Sequence, residues 1–459
     1  MTEGINDIDA LSPNHFKGGS VVVVGGGLAG LGAAYTLSRM GIEVLLLERD
    51  DTVGGCCVAH PVGDTWIDMF YHHLFLDDEG VIKLIDDLGM TDKLHWGTST
   101  TAFFYKGGVH RLNSPKHILS FRPLSLSGRF WLAVLFAKLI MKNEWKELDE
   151  ISAKDWICTN TSEEVYRVVF KPLLKSKYGE AAENISAAFL WERVRKRGRS
   201  RSKSGSREKL GYLEDSFYML ALGMRDRIVH SGGSVLTGAM VREIIISDGK
   251  IRGVKYEADG TVKEMQTDYL ISSIPIPQFL ELTSGLPSDY EKQLRHIKYQ
   301  SAICAIFGLK ERLSDTYWMN IIEDYPIVLV AEHTNFVSAE YYDGTHIVYT
   351  GSYVSPSDEI WKASAGEIQE LFSRCLRQIF ADFKEENIKW FKLAKVAHAT
   401  PIHETGYLSY MPSARTPVDG LYLAGTALTY PKRTMEVTIG SGVTAAEAVL
   451  DDLGHSSSG

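Results

Sequence analysis

The sequence predicts an α/β fold with a parallel sheet near its amino-terminal end, and three observations carry this prediction. Val21–Val24 is a short β-branched run of strand length, and residues 28–40 follow with apolar side chains at helical spacing. Residues 42–47 form a second apolar run. A strand, a helix and a strand within about thirty residues make a βαβ unit, which pairs its strands in parallel through a right-handed crossover. The predicted fold class is therefore α/β, with a Rossmann-type domain.

Glycines at positions 25, 27 and 30 occupy the turn between the first strand and the helix. Gly25 permits the tight turn, Gly27 lets a pyrophosphate approach backbone N–H groups, and Gly30 lets helix and strand pack closely. Glu48 ends the second strand, where a carboxylate can accept hydrogen bonds from both ribose hydroxyls. The pattern predicts a bound dinucleotide, FAD or NAD rather than NADP, because the carboxylate would repel a 2′-phosphate.

Composition restricts the class of protein further. The chain has 459 residues, of which 44% are apolar and 23% charged, which is typical of a globular protein with more than one domain. Its 49 basic and 58 acidic residues give a net charge of −9, which argues against nucleic acid as a partner. Five cysteines without a CxxC pair predict neither a disulfide framework nor a metal site. We expect a cytoplasmic protein, since residues 1–19 have no apolar run.

Both ends of the chain resemble one known family. The segment from Glu48 to the pair Gly54-Gly55 is similar to the motif that follows the second strand in FAD-dependent amine oxidases, protoporphyrinogen oxidases and phytoene desaturases. Residues 416–426 resemble the closing strand of that family, and residues 435–450 resemble its flavin-facing helix. The resemblance extends from about residue 19 to 453, and it implies FAD as the cofactor and an FAD-dependent oxidoreductase as the function.

The resemblance also implies a division into two domains. The expected FAD-binding domain, of the glutathione-reductase-like Rossmann type, comprises residues 19–100, 210–285 and 400–453. The expected α+β substrate-binding domain comprises residues 101–209 and 286–399.

A helical cap is expected on the substrate-binding domain. Residues 117–194 carry Trp, Phe and Leu at spacings of three and four, which predicts helices. Within them, residues 130–141 form an apolar run that is too short to span a bilayer. This run can line the entrance for an apolar substrate or lie on a membrane surface, so peripheral membrane contact is a possible property of the chain.

The candidate cofactor residues combine the glycine turn with the positions that the resemblance implies. In the family, the helix that begins at Met435 points its N-terminus at the flavin, and Val241 falls near the expected adenine site. Cys56 stands where many relatives have arginine, and a small side chain packed against the cofactor is expected there. The full set is Gly25, Gly27, Leu28, Ala29, Gly30, Glu48, Arg49, Gly54, Gly55, Cys56, Val241, Gly425, Thr426, Met435, Glu436 and Val437.

Four residues are candidates for catalysis. His72 and His73 lie in a segment that passes beside the flavin in relatives, and either one can be a general base or a packed core residue. Their alternation predicts that they point in opposite directions. His333, in the strand-rich half of the substrate-binding domain, can face the flavin ring. Arg433, directly before the flavin-facing helix, can hold a carboxylate or phosphate of the substrate.

Residues 193–209 contain nine basic residues and one acidic residue, the strongest charge asymmetry in the chain. Their Ser and Gly content predicts a mobile, solvated linker. A site for a phosphate-bearing substrate and a contact with an anionic membrane are the alternatives.

Three functions remain open from the sequence. The first is an FAD-dependent oxidase or desaturase that takes hydride onto flavin N5 from a largely apolar or cyclic small molecule. An amine substrate is not favoured, because Ala427 and Thr434 stand where amine oxidases have an acidic residue and a tyrosine. The second is a redox-neutral isomerase of sugar nucleotides that resembles galactopyranose mutases. The third is a non-catalytic flavoprotein that serves as a partner subunit.

Overall fold

The computed structural model describes residues 20–112, 114–200 and 208–454. The strands are β1 (Val21–Val24), β2 (Val44–Leu47), β3 (Ala59–Val62), β4 (Thr65–Asp68), β5 (Leu74–Phe75), β6 (Leu94–Ser99), β7 (Thr101–Tyr105), β8 (Gly108–Arg111), β9 (Glu208–Leu213), β10 (Ser234–Leu236), β11 (Met240–Ser247), β12 (Lys250–Ala258), β13 (Thr261–Gln266), β14 (Tyr269–Ser272), β15 (Tyr299–Leu309), β16 (Trp318–Ile321), β17 (Leu329–Glu332), β18 (His346–Val354), β19 (Ile388–Pro401) and β20 (Leu421–Leu423).

The helices are α1 (Leu28–Arg39), α2 (Glu79–Asp87), α3 (Pro115–Leu119), α4 (Leu126–Met141), α5 (Ala153–Asn160), α6 (Glu163–Val165), α7 (Lys171–Tyr178), α8 (Ala187–Arg199), α9 (Tyr218–His230), α10 (Ile276–Leu282), α11 (Ser288–Arg295), α12 (Glu359–Lys362), α13 (Ala365–Ile379), α14 (Tyr407–Tyr410) and α15 (Met435–Asp452). A π-helical turn, Tyr166–Phe170, joins α6 to α7.

A parallel sheet forms the first layer, with the strand order β10-β2-β1-β14-β20. The pairs are in register from Val21, which lies opposite Val44 on one side and Tyr269 on the other. The predicted βαβ unit and the Rossmann-type sheet are confirmed. Because the strand order reverses direction at β1, a crevice opens at the carboxyl ends of β1 and β14, which is where ligands bind in sheets of this kind.

Helices α1 and α15 pack against each other backbone to backbone on this sheet. A Cβ atom at Gly442 would lie 1.9 Å from the carbonyl oxygen of Ala29, and one at Gly32 would lie 2.9 Å from the carbonyl oxygen of Ile439. Only glycine fits at either position without a shift of backbone. The contact brings the N-termini of both helices to the same edge of the sheet.

Strands β11, β12 and β13 pair antiparallel in that order and form a β-meander. The strands on either side of this meander, β10 and β14, belong to the parallel sheet.

A second large sheet has the order β19-β15-β18-β17-β16-β7-β8, and its neighbours are antiparallel except for the parallel pair of β16 with β7. Helices α3 to α8 pack into a separate apolar cluster, so the predicted helical cap is confirmed. Buried side chains from α4 to α8 and from the π-helical turn form its centre, among them Leu132, Leu135, Val169 and Trp191. Within the described ranges, no helix has both the length and the apolar character to cross a membrane.

The predicted linker at residues 193–209 is wrong for its first part. Residues Arg193 to Arg199 continue helix α8, and Glu208 begins β9. The helix persists because its earlier turns bury Phe189, Leu190 and Trp191 in the cap. Residues 201–207 lie outside the described ranges.

Replacement of Gly442 by alanine tests the contact between α1 and α15. We expect Gly442→Ala to lower the free energy of unfolding by about 1–3 kcal/mol, because the added methyl group overpacks a backbone contact. Gly440→Ala on the same helix is the matched control, since no described atom lies within 4 Å of a Cβ there. The free energy of unfolding of the Gly440→Ala control should be unchanged or higher by up to about 1 kcal/mol. Thermal unfolding of both variants is the measurement, and equal melting temperatures would contradict the contact.

Candidate functional site

One cavity of about 1940 Å³ extends from the carboxyl ends of β1 and β2, past the N-terminus of α15, to the inner face of the helical cap. Ordinary ligand pockets measure about 300–1,000 Å³. The cavity is therefore large enough for a dinucleotide and a second molecule together.

The first end of the cavity has the features of a dinucleotide site. Helix α1 begins at Gly27 with no capping side chain among the described residues, so N–H groups of its first turn remain available to a ligand. A Cβ atom at Gly27 would meet no described atom within 4 Å, which shows that open space lies in front of these groups. A pyrophosphate fits both the space and the positive end of the helix.

The carboxylate of Glu48 is fixed beside this helix start. Its Oε2 accepts a hydrogen bond from the N–H of Gly26 at 2.5 Å, and its Oε1 accepts one from the N–H of Asp50 at 2.9 Å. Burial raises the pKa of Glu48, although both of these N–H groups act in the opposite direction. Each carboxylate oxygen keeps a free lone pair, so both oxygens can still accept hydrogen bonds from ribose hydroxyls.

The middle of the cavity receives the N-terminus of α15. Thr434 caps this helix by accepting a hydrogen bond from the N–H of Val437 at 3.5 Å, and Met435 and Thr438 line the cavity. A helix N-terminus stabilises negative charge. A reduced flavin, which carries negative charge at its pyrimidine edge, suits this position.

Most of the predicted cofactor residues line the cavity. These are Gly25, Gly27, Leu28, Ala29, Glu48, Arg49, Gly54, Gly55, Cys56, Val241, Gly425, Thr426 and Met435. Gly30, Glu436 and Val437 do not. Gly30 is packed against the first turn, where a Cβ would lie 1.9 Å from the carbonyl oxygen of Gly25. The carboxylate of Glu436 points to α2 and accepts hydrogen bonds from the N–H groups of Gly80 at 3.1 Å and Val81 at 3.0 Å.

His72 and His73 both line the cavity, and they have different partners. Nδ1 of His72 lies 3.6 Å from Oδ1 of Asp68. Asp68 is buried and is held by hydrogen bonds from the hydroxyl of Tyr212 at 2.8 Å and the N–H of Phe217 at 3.2 Å. Nδ1 of His72 is buried without a hydrogen-bond partner, so the carboxylate can attract a positive charge on the ring without a hydrogen bond to it. The other ring nitrogen is left for proton transfer.

His73 is placed among aromatic rings instead. Its Nδ1 lies 3.3 Å from the hydroxyl of Tyr317, and the ring of Phe75 packs edge-on at 5.0 Å. Burial, with Arg197 nearby, lowers the pKa of His73 to about 3. It is a neutral ring at ordinary pH.

His333 does not line the cavity. Its Nε2 is 2.7 Å from the hydroxyl of Tyr342, and its ring packs on Tyr212 at 4.7 Å. Burial lowers its pKa to about 3. The structure therefore places His333 in the core, where its hydrogen bond satisfies a buried polar group.

Arg433 lines the cavity, and the structure brings two further cations beside it, of which the sequence analysis included only Arg193, as the first residue of the basic run. These are Lys177 of α7 and Arg193 of α8. Nη2 of Arg193 donates a hydrogen bond to the carbonyl oxygen of Arg433 at 3.2 Å. Burial, together with Arg193, Arg197 and Arg433, lowers the pKa of Lys177 to about 7.

A signal for Lys177 was present in the sequence. Phe170, Leu173 and Lys177 have the spacing of one helix face, and all three line the cavity. Arg193 follows Phe189 by one helical turn and stacks on its ring at 5.1 Å. Asp68 lies four residues before His72, but no local pattern joins these two side chains, because they belong to a strand end and a loop.

The far end of the cavity is apolar and lies under the cap. It is lined by Phe103, Leu112, Ile118, Ala133, Phe136, Ala137, Ile140, Val169, Phe170 and Leu173. We call this part the apolar lobe. It has the chemistry to hold a hydrocarbon chain or ring system out of water.

The fold and the cavity together define a flavoprotein of the two-sheet, Rossmann-type class. The sequence matches the family of flavin-containing amine oxidoreductases over residues 28–450, and the chain belongs to this family. It is accordingly an FAD-dependent oxidoreductase.

Relatives with three different chemistries share this fold. The chain is 24% identical to a 15-cis-phytoene desaturase of Synechococcus elongatus, with 96% of this chain and 98% of the relative aligned. A reduced UDP-galactopyranose mutase superposes with a TM-score of 0.72 at 16% identity, covering 95% of this chain and 96% of the other. A putrescine oxidase bound to putrescine superposes with a TM-score of 0.69 at 16% identity, covering 95% and 99%. The fold alone does not determine which of these reactions a protein catalyses. The residues that line the cavity therefore have to be considered.

Gly27→Val separates cofactor binding from folding. The φ of Gly27 is −71°, which any residue can adopt, and there is room for the side chain in the empty turn. We expect unfolding of the apoprotein to be unchanged and FAD affinity to fall by at least about tenfold, because the side chain occupies the space of the pyrophosphate. Gly366→Ala is the control, at an equally open position on α13 outside the cavity lining. Unaltered FAD affinity, measured by fluorescence titration, would contradict the assignment.

Proposed function

We propose that the chain oxidises a largely apolar small molecule by removing a hydride from a C–H bond that the apolar lobe presents to the flavin. The observation that supports this proposal is the continuity of the cavity, which runs without a wall from the dinucleotide end to the apolar lobe. A substrate in the lobe and a flavin in the middle share one space.

The two parts of the cavity also support the domain division as a proposal. The dinucleotide end is lined from residues 19–100, 210–285 and 400–453, with Glu48 and Val241 as examples. The apolar lobe is lined mainly from residues 101–209. Residues 101–209 and 286–399 are thus proposed as the substrate-binding domain.

His72 is the proposed base. When bound, oxidised FAD would supply an acceptor at N5 for one hydride, which carries two electrons. For a desaturation, the hydride leaves one carbon and a proton leaves its neighbour, and the C=C bond takes the electrons of the second C–H bond. Nε2 of His72 takes the proton, while Asp68 stabilises the resulting imidazolium from the Nδ1 side. A small acceptor such as oxygen or a quinone finally removes the two electrons.

Amine oxidation has less support in the cavity. Ala427 is buried and carries no charge, and Thr434 caps α15 with its hydroxyl. The cations Lys177, Arg193 and Arg433 would also repel an ammonium group. A redox-neutral isomerase of sugar nucleotides stays the alternative, because the same cations suit a diphosphate. A non-catalytic flavoprotein that serves as a partner subunit is the third candidate function.

The test of the proposal starts from the absorption spectrum of the purified holoprotein under anaerobic conditions. We expect an oxidised flavin spectrum that bleaches when an apolar alkene or cyclic substrate is added. Turnover that requires prior reduction by dithionite, with no net flavin oxidation, would instead establish the isomerase. Flavin that no substrate bleaches and that supports no isomerisation would point to the non-catalytic subunit.

Replacement of His72 tests the base in the same assay. We expect His72→Gln to slow substrate-dependent bleaching by about 10²–10⁴-fold with FAD content unchanged, because it removes proton transfer and leaves the cofactor end intact. His95→Gln is the control, since His95 is exposed and pairs with Glu214 outside the cavity lining. A bleaching rate for His72→Gln equal to that of the control would remove His72 from the mechanism.

We also propose that α3 and α4 rest on an anionic membrane surface. Leu119, Leu126, Phe130 and Met141 are exposed to 64%, 79%, 59% and 77%. The exposed bases Lys116, Arg122 and Lys138 accompany them on the same segment. Ile140 is exposed to 44% and also lines the cavity, so the apolar lobe adjoins this surface. An apolar substrate can then enter from the bilayer, and the five free cysteines suit the cytoplasmic side.

The double variant Leu126→Glu/Phe130→Glu tests the membrane surface. We expect it to reduce cosedimentation with vesicles of anionic phosphatidylserine by at least about tenfold. The variant removes apolar side chains that would insert into the membrane, and its carboxylates are repelled by the anionic lipid. Val262→Glu on β13 is the control, at a valine exposed to 60% far along the chain. Binding that is equal in both variants, or equal on neutral vesicles, would contradict the surface or its preference for anionic lipid.

A further inference from the structure

We infer that Lys177, Arg193 and Arg433 form a subsite for an anionic group, a carboxylate or phosphate, carried by an otherwise apolar substrate. This inference deepens the proposed function and rests on it, since the subsite lies in the same cavity as the apolar lobe. It makes the substrate an amphiphile rather than a plain hydrocarbon or an amine.

The three side chains are fixed by different parts of the chain. Arg193 is anchored by its hydrogen bond to the carbonyl oxygen of Arg433 at 3.2 Å and by the ring of Phe189. The guanidinium of Arg433 lies beside the hydroxyls of Tyr178 and Tyr353. Lys177 comes from the turn of α7 directly before Tyr178. The cations therefore converge from α7, α8 and the loop before α15.

None of the three has a carboxylate partner within ion-pair distance among the residues that the structure describes. Two other basic residues of α8, Lys196 and Arg197, differ in this respect. Lys196 pairs with Asp77 and Asp78 at 2.8 Å each, and Arg197 pairs with Glu208 at 3.3 Å. Segments outside α8 thus supply carboxylates for Lys196 and Arg197, whereas Arg193 has none within ion-pair distance among the described residues. Nε of Arg193 is also buried without a hydrogen-bond partner.

Lys177, Arg193 and Arg433 are half-buried in the cavity. Charges that lose part of their hydration in this way are ordinarily paired in proteins. The pKa of Lys177, lowered to about 7, and that of Arg193, lowered to about 10, reflect this loss and the mutual repulsion of the cations. Glu192 also lines the cavity, and it forms no ion pair with Arg193 in the described structure. An anion from the ligand would compensate all three charges at once.

The apolar lobe fixes the rest of the ligand. Phe170, Leu173 and Lys177 lie on one face of the continuous helix that ends at Tyr178, so one element contacts both parts of an amphiphile. An apolar chain would pack on Phe170 and Leu173 while its anionic end meets Lys177. A neutral hydrocarbon leaves the cations uncompensated, and an ammonium group is repelled.

Binding of matched probes to the holoprotein tests the subsite without turnover. The probes are decanoate, decyl phosphate, decanol and decylamine, titrated against the visible spectrum of the bound flavin. We expect the two anions to bind at least about tenfold more tightly than decanol, and decylamine to bind most weakly, because charge-assisted hydrogen bonds form only with an anion. Equal affinities for decanoate and decanol would overturn the inference. A preference for decyl phosphate over decanoate would identify phosphate as the anion.

Variants connect the preference to the residues. Lys177→Met and Arg193→Met should each lower affinity for decanoate by about tenfold or more and leave decanol unchanged. Lys175→Met is the control, because Lys175 is exposed on the same helix. Persistence of the wild-type preference in both variants would overturn the assignment. The assignment would also be overturned if the variants lost FAD or shifted the flavin potential while the preference for anions over decanol stayed intact. The cations would then interact with the cofactor and not with the substrate.

The experiment separates this inference from the proposed function. The titration reads binding only, so a selective anion subsite can be found in a protein whose flavin no substrate bleaches. Conversely, bleaching by a neutral alkene with no anion preference would keep the oxidoreductase function and reject the subsite. If a variant fails to fold, the wild-type probe series still decides the preference.

Discussion

The backbone contact between α1 and α15 is the constraint on which the site depends. Gly32 and Gly442 allow the two helices to touch where any side chain would collide with a carbonyl oxygen. One helix belongs to the first βαβ unit and the other follows the last strand of the sheet, more than four hundred residues later. Their contact directs two helix N-termini, each with partial positive charge, into one cavity. A cofactor that carries a pyrophosphate at one end and a reducible ring at the other meets both.

The cavity contains a cluster of positive charge although the protein as a whole is negatively charged. The chain has a net charge of −9, yet Lys177, Arg193 and Arg433 bring positive charge to the interior of the cavity. Glu48 supplies the opposite charge at the dinucleotide end. A cavity with low-dielectric walls concentrates such fields. The distribution thus favours an anionic ligand under the cap, although the surface as a whole is acidic.

The relatives of this chain show that the scaffold is compatible with several reactions. A 15-cis-phytoene desaturase matches nearly the whole chain in sequence, and a UDP-galactopyranose mutase and a putrescine oxidase superpose on it, all at low identity. The fold by itself therefore does not define the reaction. In this chain, the cap and the loop before α15 supply an apolar lobe and three cations, and the end of β4 with the loop after it supplies the Asp68-His72 pair.

The sequence by itself determined the parallel sheet, the glycine turn, Glu48 and the helical cap, because each depends on periodicity or turn chemistry within a few residues. It also indicated that Arg433 lies at the flavin end. Only the tertiary structure decided that Glu436 caps α2, that His333 lies in the core and that Lys177 and Arg193 join Arg433. These outcomes depend on contacts between segments far apart in the chain. No local pattern encodes which face of a helix meets which cavity, since packing across the whole molecule fixes it.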